Sequence, residues 1–307
     1  MPARICVVGS ANIDLLVKVP RLPRPGETVL GGQFASAPGG KGANQAVAAA
    51  RAGGDVAFIA CVGQDAFGAQ AIAGYQADEI NVAHVRREPA TPTGVGLIFV
   101  DAAGENCIAV ASGANARLSP ADVTAARAAI EQAVVLVLQL ENPLETVRAA
   151  AALAHEAGVR VLLNPAPATV LEDGLWGRVS VITPNEHEAA TLTGVRTDTD
   201  AGVAEAARRL RARGVATVLI TLGARGVYLL ADDYEGLVTG YTVDAVDTTA
   251  AGDVFNGALA VALAEGRPLR DAVRFASAAA AISVTRLGAQ PSAPRRAEIE
   301  SFLRART

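Results

Sequence analysis

Apolar runs of four to seven residues alternate with Ala-rich segments that end in Gly along most of this 307-residue chain. Such runs predict buried strands, and the Ala-rich segments between them predict the helices that connect parallel strands. The predicted strands are residues 5–8, 56–61, 134–140, 159–163, 179–182 and 215–221. The predicted helices lie near residues 43–52, 65–78, 119–132, 145–157, 201–213, 253–264, 269–285 and 294–305. This pattern is typical of an α/β fold with a central, mostly parallel sheet flanked by helices.

Two stretches depart from this alternation, because each contains two strand-like runs and no helical segment. The first spans residues 15–34 with a turn at 23–26, and the second spans 94–111 with a turn at 101–104. We interpret them as a small β-sheet that stands off the main sheet, either as a lid over a site or as a dimer contact. Since no linker-like tract divides the chain, we expect one domain over residues 1–307, with lid segments at about 15–36 and 93–111.

Charge and composition exclude several classes of partner. The net charge of −4 leaves no basic surface for nucleic acid or an anionic membrane. The N-terminal apolar run is too short for a signal peptide, and no stretch approaches the ~18 apolar residues of a spanning helix. The isolated residues Cys6, Cys61 and Cys107 favour buried thiols over a disulfide or metal site. We therefore expect a soluble cytoplasmic protein that binds neither nucleic acid nor membrane.

The stretch 246–263 combines a helix start with a carboxylate. The small residues 250–252 allow the backbone amides at this helix start to approach an anion closely. Asp253 is placed to take a proton from a hydroxyl that attacks a bound phosphate, which suits phosphoryl transfer. Simple capping is the alternative, because the helix dipole alone favours Asp in a first turn. Gly257, inside the same helix, costs about 1 kcal/mol relative to Ala and requires a close-packing reason.

Polar residues follow the carboxyl ends of several predicted strands, which is where ligands bind in an open parallel sheet. Asn12 and Asp14 follow the first strand and point to the same side if the chain stays extended; a turn is the alternative. Glu141 follows the third predicted strand, and Asn185 and Glu188 follow the fifth. Carboxylates and amides at so many strand ends indicate one shared site for a polyhydroxyl compound and a phosphate.

A second Gly-rich loop, residues 38–44, precedes the first predicted helix. It is not a P-loop, because Lys41 is followed by Gly, and the lack of G-x-G-x-x-G after a strand counts against a dinucleotide-dependent dehydrogenase. Its glycines would let the backbone pack against a small ligand while Lys41 and Asn44 reach the ligand's oxygens. A plain loop is the alternative.

Four motifs together resemble the ribokinase branch of the phosphofructokinase-B sugar kinases. They are GGKGAN at 39–44, TPNEHE at 183–188, ITLGARG at 220–226 and DTTAAGD at 247–253. The resemblance implies a ribokinase-like fold with a β-lid that also forms a homodimer, and ATP-dependent phosphorylation of D-ribose at its 5-hydroxyl. Kinases of this family that act on deoxyribose, another pentose, a hexose or a nucleoside remain alternatives, as does a sugar sensor without catalysis.

The resemblance also implies roles for individual residues. Asp253 matches the general base, and Ala250, Ala251 and Gly252 match donors of N–H groups to the transferring phosphate. At position 250 the common family motif has Gly where this chain has Ala, so a left-handed backbone there would be strained. The residues that match pentose-binding positions are Asn12, Asp14, Gly40, Lys41, Asn44, Glu141 and Asp253.

The remaining implied residues concern the nucleotide and two cations. Asn185 and Glu188 match the pair that organises Mg²⁺ and the phosphates through water. The other residues that match nucleotide-binding positions are Thr221, Gly223, Arg225, Gly226, Gly252 and Ser277. A K⁺ ion is implied near the phosphate site, held largely through backbone oxygens. The positions that match its binding loops are Asp247, Thr249, Ser283, Arg286, Gly288 and Ser292.

Overall fold

The structure, a computed structural model, describes residues 3–103 and 105–306. Its strands are β1 (Arg4–Val8), β2 (Asn12–Lys18), β3 (Gln33–Gly39), β4 (Asp55–Gly63), β5 (Asn81–Glu88), β6 (Gly94–Val100), β7 (Asn106–Ala111), β8 (Val135–Leu138), β9 (Arg160–Leu163), β10 (Val181–Ile182), β11 (Thr217–Thr221), β12 (Gly226–Leu230) and β13 (Glu235–Thr239). Its helices are α1 (Lys41–Arg51), α2 (Ala66–Ala77), α3 (Pro120–Ala125), α4 (Arg127–Glu131), α5 (Leu144–Glu156), α6 (Asp173–Trp176), α7 (Glu186–Thr193), α8 (Asp200–Ala212), α9 (Ala251–Ala264), α10 (Leu269–Ser283) and α11 (Arg296–Arg304).

Nine strands of the described chain form one sheet in the order β13-β12-β11-β10-β9-β8-β1-β4-β5. In this order, the seven strands from β11 to β5 pair in parallel. β12 and β13 extend one edge of the sheet with antiparallel pairing. This confirms the predicted α/β fold with a mostly parallel sheet. Each predicted strand corresponds to a strand of this sheet. β5 and β13 were not predicted because their sequences mix apolar and polar residues, and β12 was not predicted although its GVYLL run is apolar.

The side chains of the main sheet alternate between two hydrophobic cores. On β1, Ile5 and Val7 face the core that contains α1, α2, α9, α10 and α11, whereas Cys6 and Val8 face the core that contains α3 to α8. The predicted helix over 119–132 is two helices, because Ala126 departs from helical geometry between α3 and α4. No helix within the described ranges is long and apolar enough to cross a membrane.

A separate four-stranded sheet, which we call the small sheet, has the order β3-β2-β6-β7. It starts earlier and ends later than the sequence indicates, since Asn12 at the start of β2 pairs with Gly39 at the end of β3. The small sheet is therefore connected to the rest of the fold where β1 ends and α1 begins. Its predicted turn at 101–104 ends on Gly104, which lies outside the described residues. Of the three thiols, Cys6 and Cys61 are buried as expected, but Cys107 on β7 is exposed.

Candidate active site

Asp253 lies in the first turn of α9 and has only 5% of its surface exposed. Its Oδ2 accepts a hydrogen bond of 3.0 Å from Nδ2 of Asn44, and its Oδ1 accepts one of 2.9 Å from Nε2 of Gln45. Both donors belong to α1. Because each oxygen accepts from one amide, the carboxylate is held in a single orientation and each oxygen still has a lone pair for another proton.

Gly257 explains how α9 comes close enough to α1 for these contacts. A Cβ atom at this position would lie 2.5 Å from the carbonyl oxygen of Gln45 and 2.7 Å from Cβ of Ala48. The two helix backbones are therefore in direct contact, which only glycine permits. This contact is the packing reason that a glycine inside a helix requires.

The start of α9 presents free amide groups to open space. Ala250 has a left-handed backbone, with φ 58° and ψ 13°, and the helix begins immediately after it. Across the described ranges, no acceptor receives the N–H groups of Gly252 and Asp253. A Cβ at Gly252 would meet no atom within 4 Å. The amides therefore form an accessible site for an anion, as expected of a helix N-terminus.

Three loops meet beside this helix start. Gly40, the N-cap of α1, has φ 87°, and a Cβ there would lie 2.7 Å from the backbone nitrogen of Asn12. Oε2 of Glu141 accepts hydrogen bonds from Oγ of Ser10 at 2.5 Å and from the backbone N–H of Lys41 at 3.0 Å. The carboxylate of Glu141 therefore joins the ends of β1 and β8 to the start of α1.

Two asparagine side chains offer opposite hydrogen-bonding groups. Oδ1 of Asn12 accepts a bond of 2.6 Å from Nδ2 of Asn115, so Asn12 has its own Nδ2 left for a ligand. Asn44 donates its Nδ2 to Asp253, and its buried Oδ1 has no partner among the described residues. One amide offers a donor and the other an acceptor, which matches the hydroxyl groups of a sugar.

The Asp14 carboxylate lies against two glycines of the small sheet. A Cβ on either Gly39 or Gly96, in the strands that flank β2, would overlap this carboxylate. Burial, followed by the charges of Glu141 and Asp253, raises the pKa of Asp14 to about 6. Asp14 is thus seated among other carboxylates and titrates closer to neutrality than an ordinary Asp.

Carboxylates outnumber cationic groups at this site. Burial raises the pKa of Asp253, and Lys41 and the amides of Asn44 and Gln45 partly offset that increase. Burial lowers the pKa of Lys41, but Asp253, Glu141 and Glu188 outweigh it, so that the pKa is raised and the ammonium stays charged. Since Lys41 alone cannot balance these carboxylates, a polyphosphate would need an additional cation here.

A cavity of about 290 Å³ adjoins the N-terminus of α9, where Ala251 and Gly252 line its wall. Five of the residues that the sequence predicts to bind the nucleotide line this cavity: Thr221, Gly223, Gly226, Gly252 and Ser277. The rest of its wall is largely apolar and includes Tyr241, Val243 and Phe255. Oγ of Ser277 is buried without a partner in the described chain. The cavity thus combines a largely apolar wall with a buried hydroxyl group that has no partner among the described residues.

Asn185 and Glu188 form a reciprocal cap at the start of α7. Oδ1 of Asn185 accepts from the N–H of Glu188 at 2.8 Å, and Oε2 of Glu188 accepts from the N–H of Asn185 at 2.9 Å. Asn185 also pairs with Thr221 of the nucleotide cavity. Arg225 differs from the other predicted nucleotide residues, because it is absent from the cavity wall and its guanidinium pairs with Glu186 and Asp200.

The predicted K⁺ loops are joined by Asp247. Its carboxylate accepts from the N–H of Thr249 at 2.9 Å and from the N–H of Gly288 at 2.8 Å. Other side chains of these loops already have partners: Oγ of Ser283 and of Ser292 donate to backbone carbonyls, and Arg286 pairs with Glu298. The described residues contain no group of three or more His, Cys, Asp or Glu that could hold a metal ion.

Comparison with known proteins extends over the same residues. Positions 2–296 match the family described as pfkB family carbohydrate kinase. This chain belongs to the pfkB family of carbohydrate kinases. Within that family, it is 45% identical over 303 residues to the ribokinase of Haemophilus influenzae, with 99% of each chain covered.

Solved structures of pfkB carbohydrate kinases have the same fold. The ribokinase of Thermotoga maritima superimposes with a TM-score of 0.89 at 40% identity, over 98% of this chain and 99% of the other. The Arabidopsis thaliana ribokinase complexed with ribose and ATP gives a TM-score of 0.91 at 33% identity, over 99% of both chains. The similarity therefore includes the main sheet and the small sheet.

The site of this pfkB kinase contains residues that sequence reasoning did not single out. Gln45, Asn115 and Gln139 are buried amides near Asp253 or Asn12, and Gly96 supports Asp14. Gln45 directly follows the Gly-rich motif, which is the one signal that could have indicated it. Nothing in the local sequence distinguishes the others, since each is defined by a contact with a distant part of the chain.

Proposed function

We propose that this chain transfers the γ-phosphoryl group of ATP to the 5-hydroxyl of D-ribose. The observation that carries the proposal is the position of Asp253: a buried carboxylate, oriented by Asn44 and Gln45, beside free amide groups at the start of α9. A hydroxyl placed between these groups would lose its proton to Asp253 as its oxygen bonds to the γ-phosphorus, and ADP would leave.

The sugar would bind between the small sheet and α1. Nδ2 of Asn12 and the ammonium of Lys41 are donors there, and Oδ1 of Asn44 and the carboxylate of Asp14 are acceptors. Gly40 permits the backbone to approach the sugar without a side chain in the way. A pentose with several hydroxyl groups fits this mixture of donors and acceptors better than a phosphorylated ligand, because carboxylates repel phosphate.

ATP would place its base in the 290 Å³ cavity and its phosphates across the start of α9. As the γ-phosphoryl group moves, the free N–H groups of Gly252 and Asp253 and the ammonium of Lys41 would stabilise its negative charge, whereas the N–H of Ala251 already donates to the carbonyl of Thr248. Ser277 offers a buried hydroxyl to the nucleotide. The side chain of Arg225 is occupied by ion pairs, so we assign its role to the backbone of the 221–226 loop.

Two cations complete the proposal. The excess of carboxylates fits a need for Mg²⁺ with the nucleotide, and Asn185 and Glu188 would hold it through water, as a hard cation permits. When bound, Mg²⁺ offsets phosphate charge. The loops joined by Asp247 would hold K⁺ through backbone oxygens, with Thr249, Ser283, Arg286, Gly288 and Ser292 supplying main chain rather than side chains.

The small sheet would act as a lid and as a dimer contact within a single-domain protein. Its strand register puts Asp14, Ile108 and Val110 on one face, toward the site, and Phe34 and Leu97 on the other. Phe34 is 68% exposed and Leu97 45%, which leaves apolar surface for a second copy. We place the reaction in the cytoplasm, where buried thiols such as Cys6 stay reduced.

A coupled ADP-release assay with the full chain tests the function. We expect turnover that depends on added D-ribose, and Asp253→Asn should lower kcat by roughly two to four powers of ten while ribose binding survives. Asp271→Asn is the matched control, since Asp271 is also a first-turn Asp but lies on α10 and is exposed. Near-normal turnover of Asp253→Asn would reject the assigned base.

The same assay separates the alternatives. A panel of 2-deoxyribose, other pentoses, hexoses and nucleosides gives kcat/KM values to compare with D-ribose, and a preferred 2-deoxy sugar would reject ribose as the acceptor. Sugar binding without any sugar-dependent ATP consumption would instead support a sensor. Adding or omitting K⁺ and Mg²⁺ tests the two cations.

A further inference from the structure

Behind Asp253 lies a chain of buried amides that the phosphoryl-transfer proposal does not use. Gln45 is fully buried, and its Nε2 donates both to Oδ1 of Asp253 at 2.9 Å and to Oδ1 of Asn164 at 3.0 Å. Its Oε1 accepts a bond of 2.7 Å from Nε2 of Gln139, which is 1% exposed. Gln45 and Gln139 are 94 residues apart in sequence.

Hydrogen-bond polarity allows this chain of amides only one arrangement. Nδ2 of Asn164 donates to the carbonyl of Thr183, so Asn164 has only its oxygen to offer Gln45. If the Gln45 amide were reversed, its oxygen would face both that oxygen and the Asp253 carboxylate. In the orientation found, Oε1 of Gln45 faces away from those oxygens and accepts from Nε2 of Gln139. Nε2 of Gln45 is therefore directed at Asp253, and the oxygen of Gln45 accepts from Gln139.

The end of the chain is fixed by close packing. Oε1 of Gln139 is buried and has no partner in the described parts of the chain, and a Cβ at Gly9 would overlap this oxygen. The loop after β1 thus leaves no space for Gln139 to move toward it. Two aligned amide dipoles point their positive ends at one carboxylate, and in a low-dielectric interior such aligned dipoles strengthen one another.

We infer that Gln45 and Gln139 are positioning residues for phosphoryl transfer, which hold Asp253 ionised and oriented toward the sugar hydroxyl. The inference rests on the proposed role of Asp253 as the base. The sugar-binding proposal uses neither glutamine, because the Gln45 amide bonds Asp253, Asn164 and Gln139, and the Gln139 N–H group bonds Gln45. Removing them should therefore affect the proton-transfer step rather than sugar binding.

Other charges also act on Asp253, and the test must hold them constant. The charged groups that interact with it are Lys41 on α1, Asp14 on β2, Glu141 after β8 and Glu188 on α7. None is altered by replacing Gln45 or Gln139 with Met, which has similar length and no N–H group. A change in the pH profile of such a variant would report the lost amide donor.

The experiment measures kcat, KM for D-ribose and the pH dependence of kcat for Gln45→Met and Gln139→Met in the full chain. For Gln45→Met we expect kcat to fall about ten- to a hundredfold, the range for a lost hydrogen bond to a charged group, with KM changed less than about twofold. The acid limb of the profile should move up by roughly one pH unit, because the carboxylate loses a donor. Gln139→Met should also lower kcat and move the acid limb up, each by a smaller amount than Gln45→Met.

A structural role alone would give a different result. Thr146→Val is the matched control: Thr146 is fully buried and donates to the carbonyl of Leu118, away from Asp253, so its loss should lower the melting temperature and leave the pH profile unchanged. If Gln45→Met does not fold, the Gln139→Met profile decides. An unchanged acid limb and kcat, with Asp253→Asn inactive, would overturn the inference and leave the base assigned. An active Asp253→Asn would overturn both.

Discussion

Nδ2 of Asn115 donates a 2.6 Å hydrogen bond to Oδ1 of Asn12, although the two residues are 103 positions apart. The orientation of Asn115 is itself fixed, because its Oδ1 accepts from the N–H of Ala11 at 2.8 Å. Asn12 can therefore turn only its N–H group toward a ligand. Asn115, which follows β7, thus determines which group Asn12 at the start of β2 offers to a ligand.

Asn115→Leu should weaken sugar binding more than catalysis. Without its partner, Asn12 would lose its fixed orientation, and we expect KM for D-ribose to rise roughly tenfold, as for one hydrogen bond, while kcat changes little. Steady-state kinetics at saturating ATP measure both values. An equal fall in kcat at constant KM would contradict the assigned role.

The raised pKa of Asp14 makes both affinity and stability depend on pH. Above pH 6 the carboxylate accepts from sugar hydroxyls, and below it the protonated form loses that capacity, so ribose affinity should fall as the pH drops through about 6. The free energy of unfolding depends on pH in the opposite direction. Between about pH 4 and 6 the folded chain binds a proton that the unfolded chain has lost, so the free energy of unfolding falls as pH rises.

Asp14→Asn separates these two effects. The variant should be more stable than the parent chain at pH 7, because it no longer buries a charge among Glu141 and Asp253, yet it should bind ribose more weakly at that pH. Thermal melts and calorimetric ribose titrations across the pH range measure the two effects. A variant that binds ribose normally would remove Asp14 from the sugar site.

Ala250→Gly should stabilise the chain. Ala250 holds a left-handed backbone that costs an L-residue roughly 1–2 kcal/mol, and the greater entropy of unfolded Gly offsets part of that gain, so we expect a net increase of up to about 1 kcal/mol. Glu79 has a similar φ of 59° far from the site, and Glu79→Gly is the control for the purely conformational effect. Denaturant unfolding measures both, and a destabilised Ala250→Gly would contradict the argument.

Gly257→Ala and Gly74→Ala form a matched pair of glycines inside helices. The added methyl at Gly257 would press on the α1 backbone at Gln45 and Ala48, so we expect lower stability and a lower kcat as Asp253 is displaced. At Gly74 on α2 nothing lies within 4 Å, and Ala should stabilise by roughly 0.5–1 kcal/mol without affecting activity. Equal effects in the two variants would show that helix contact at Gly257 is unimportant.

Phe34→Glu tests the proposed dimer contact. A charge on the outer face of the small sheet should disfavour self-association, and we expect a smaller particle by analytical ultracentrifugation. Val170→Glu is the control, because Val170 is 87% exposed and lies outside the small sheet. A parent chain that is monomeric, or a Phe34→Glu variant that still dimerises, would remove this face as the interface.

The sequence by itself determined six of the nine strands of the main sheet, the presence of a separate small sheet and most of the residues gathered at the candidate site. Apolar runs and Ala-rich segments are local patterns, and local periodicity suffices to identify a strand or helix. In a parallel sheet the carboxyl ends of strands meet at one edge, so Asn12, Glu141 and Asn185 were predicted to share a site. Motif resemblance added the proposed role of Asp253 as the base, which local physics left open between a base and a simple cap.

Tertiary structure alone decided how those residues are held. Gln45, Gln139 and Asn115 are ordinary polar residues in the sequence, and they acquire a role only when distant segments bring their amides together. Arg225 shows the converse, since its motif position suggests a nucleotide contact whereas its guanidinium binds Glu186 and Asp200. The physical reason is that hydrogen-bond partners and buried charges are fixed by packing in three dimensions, whereas periodicity and propensity act over a few neighbouring residues.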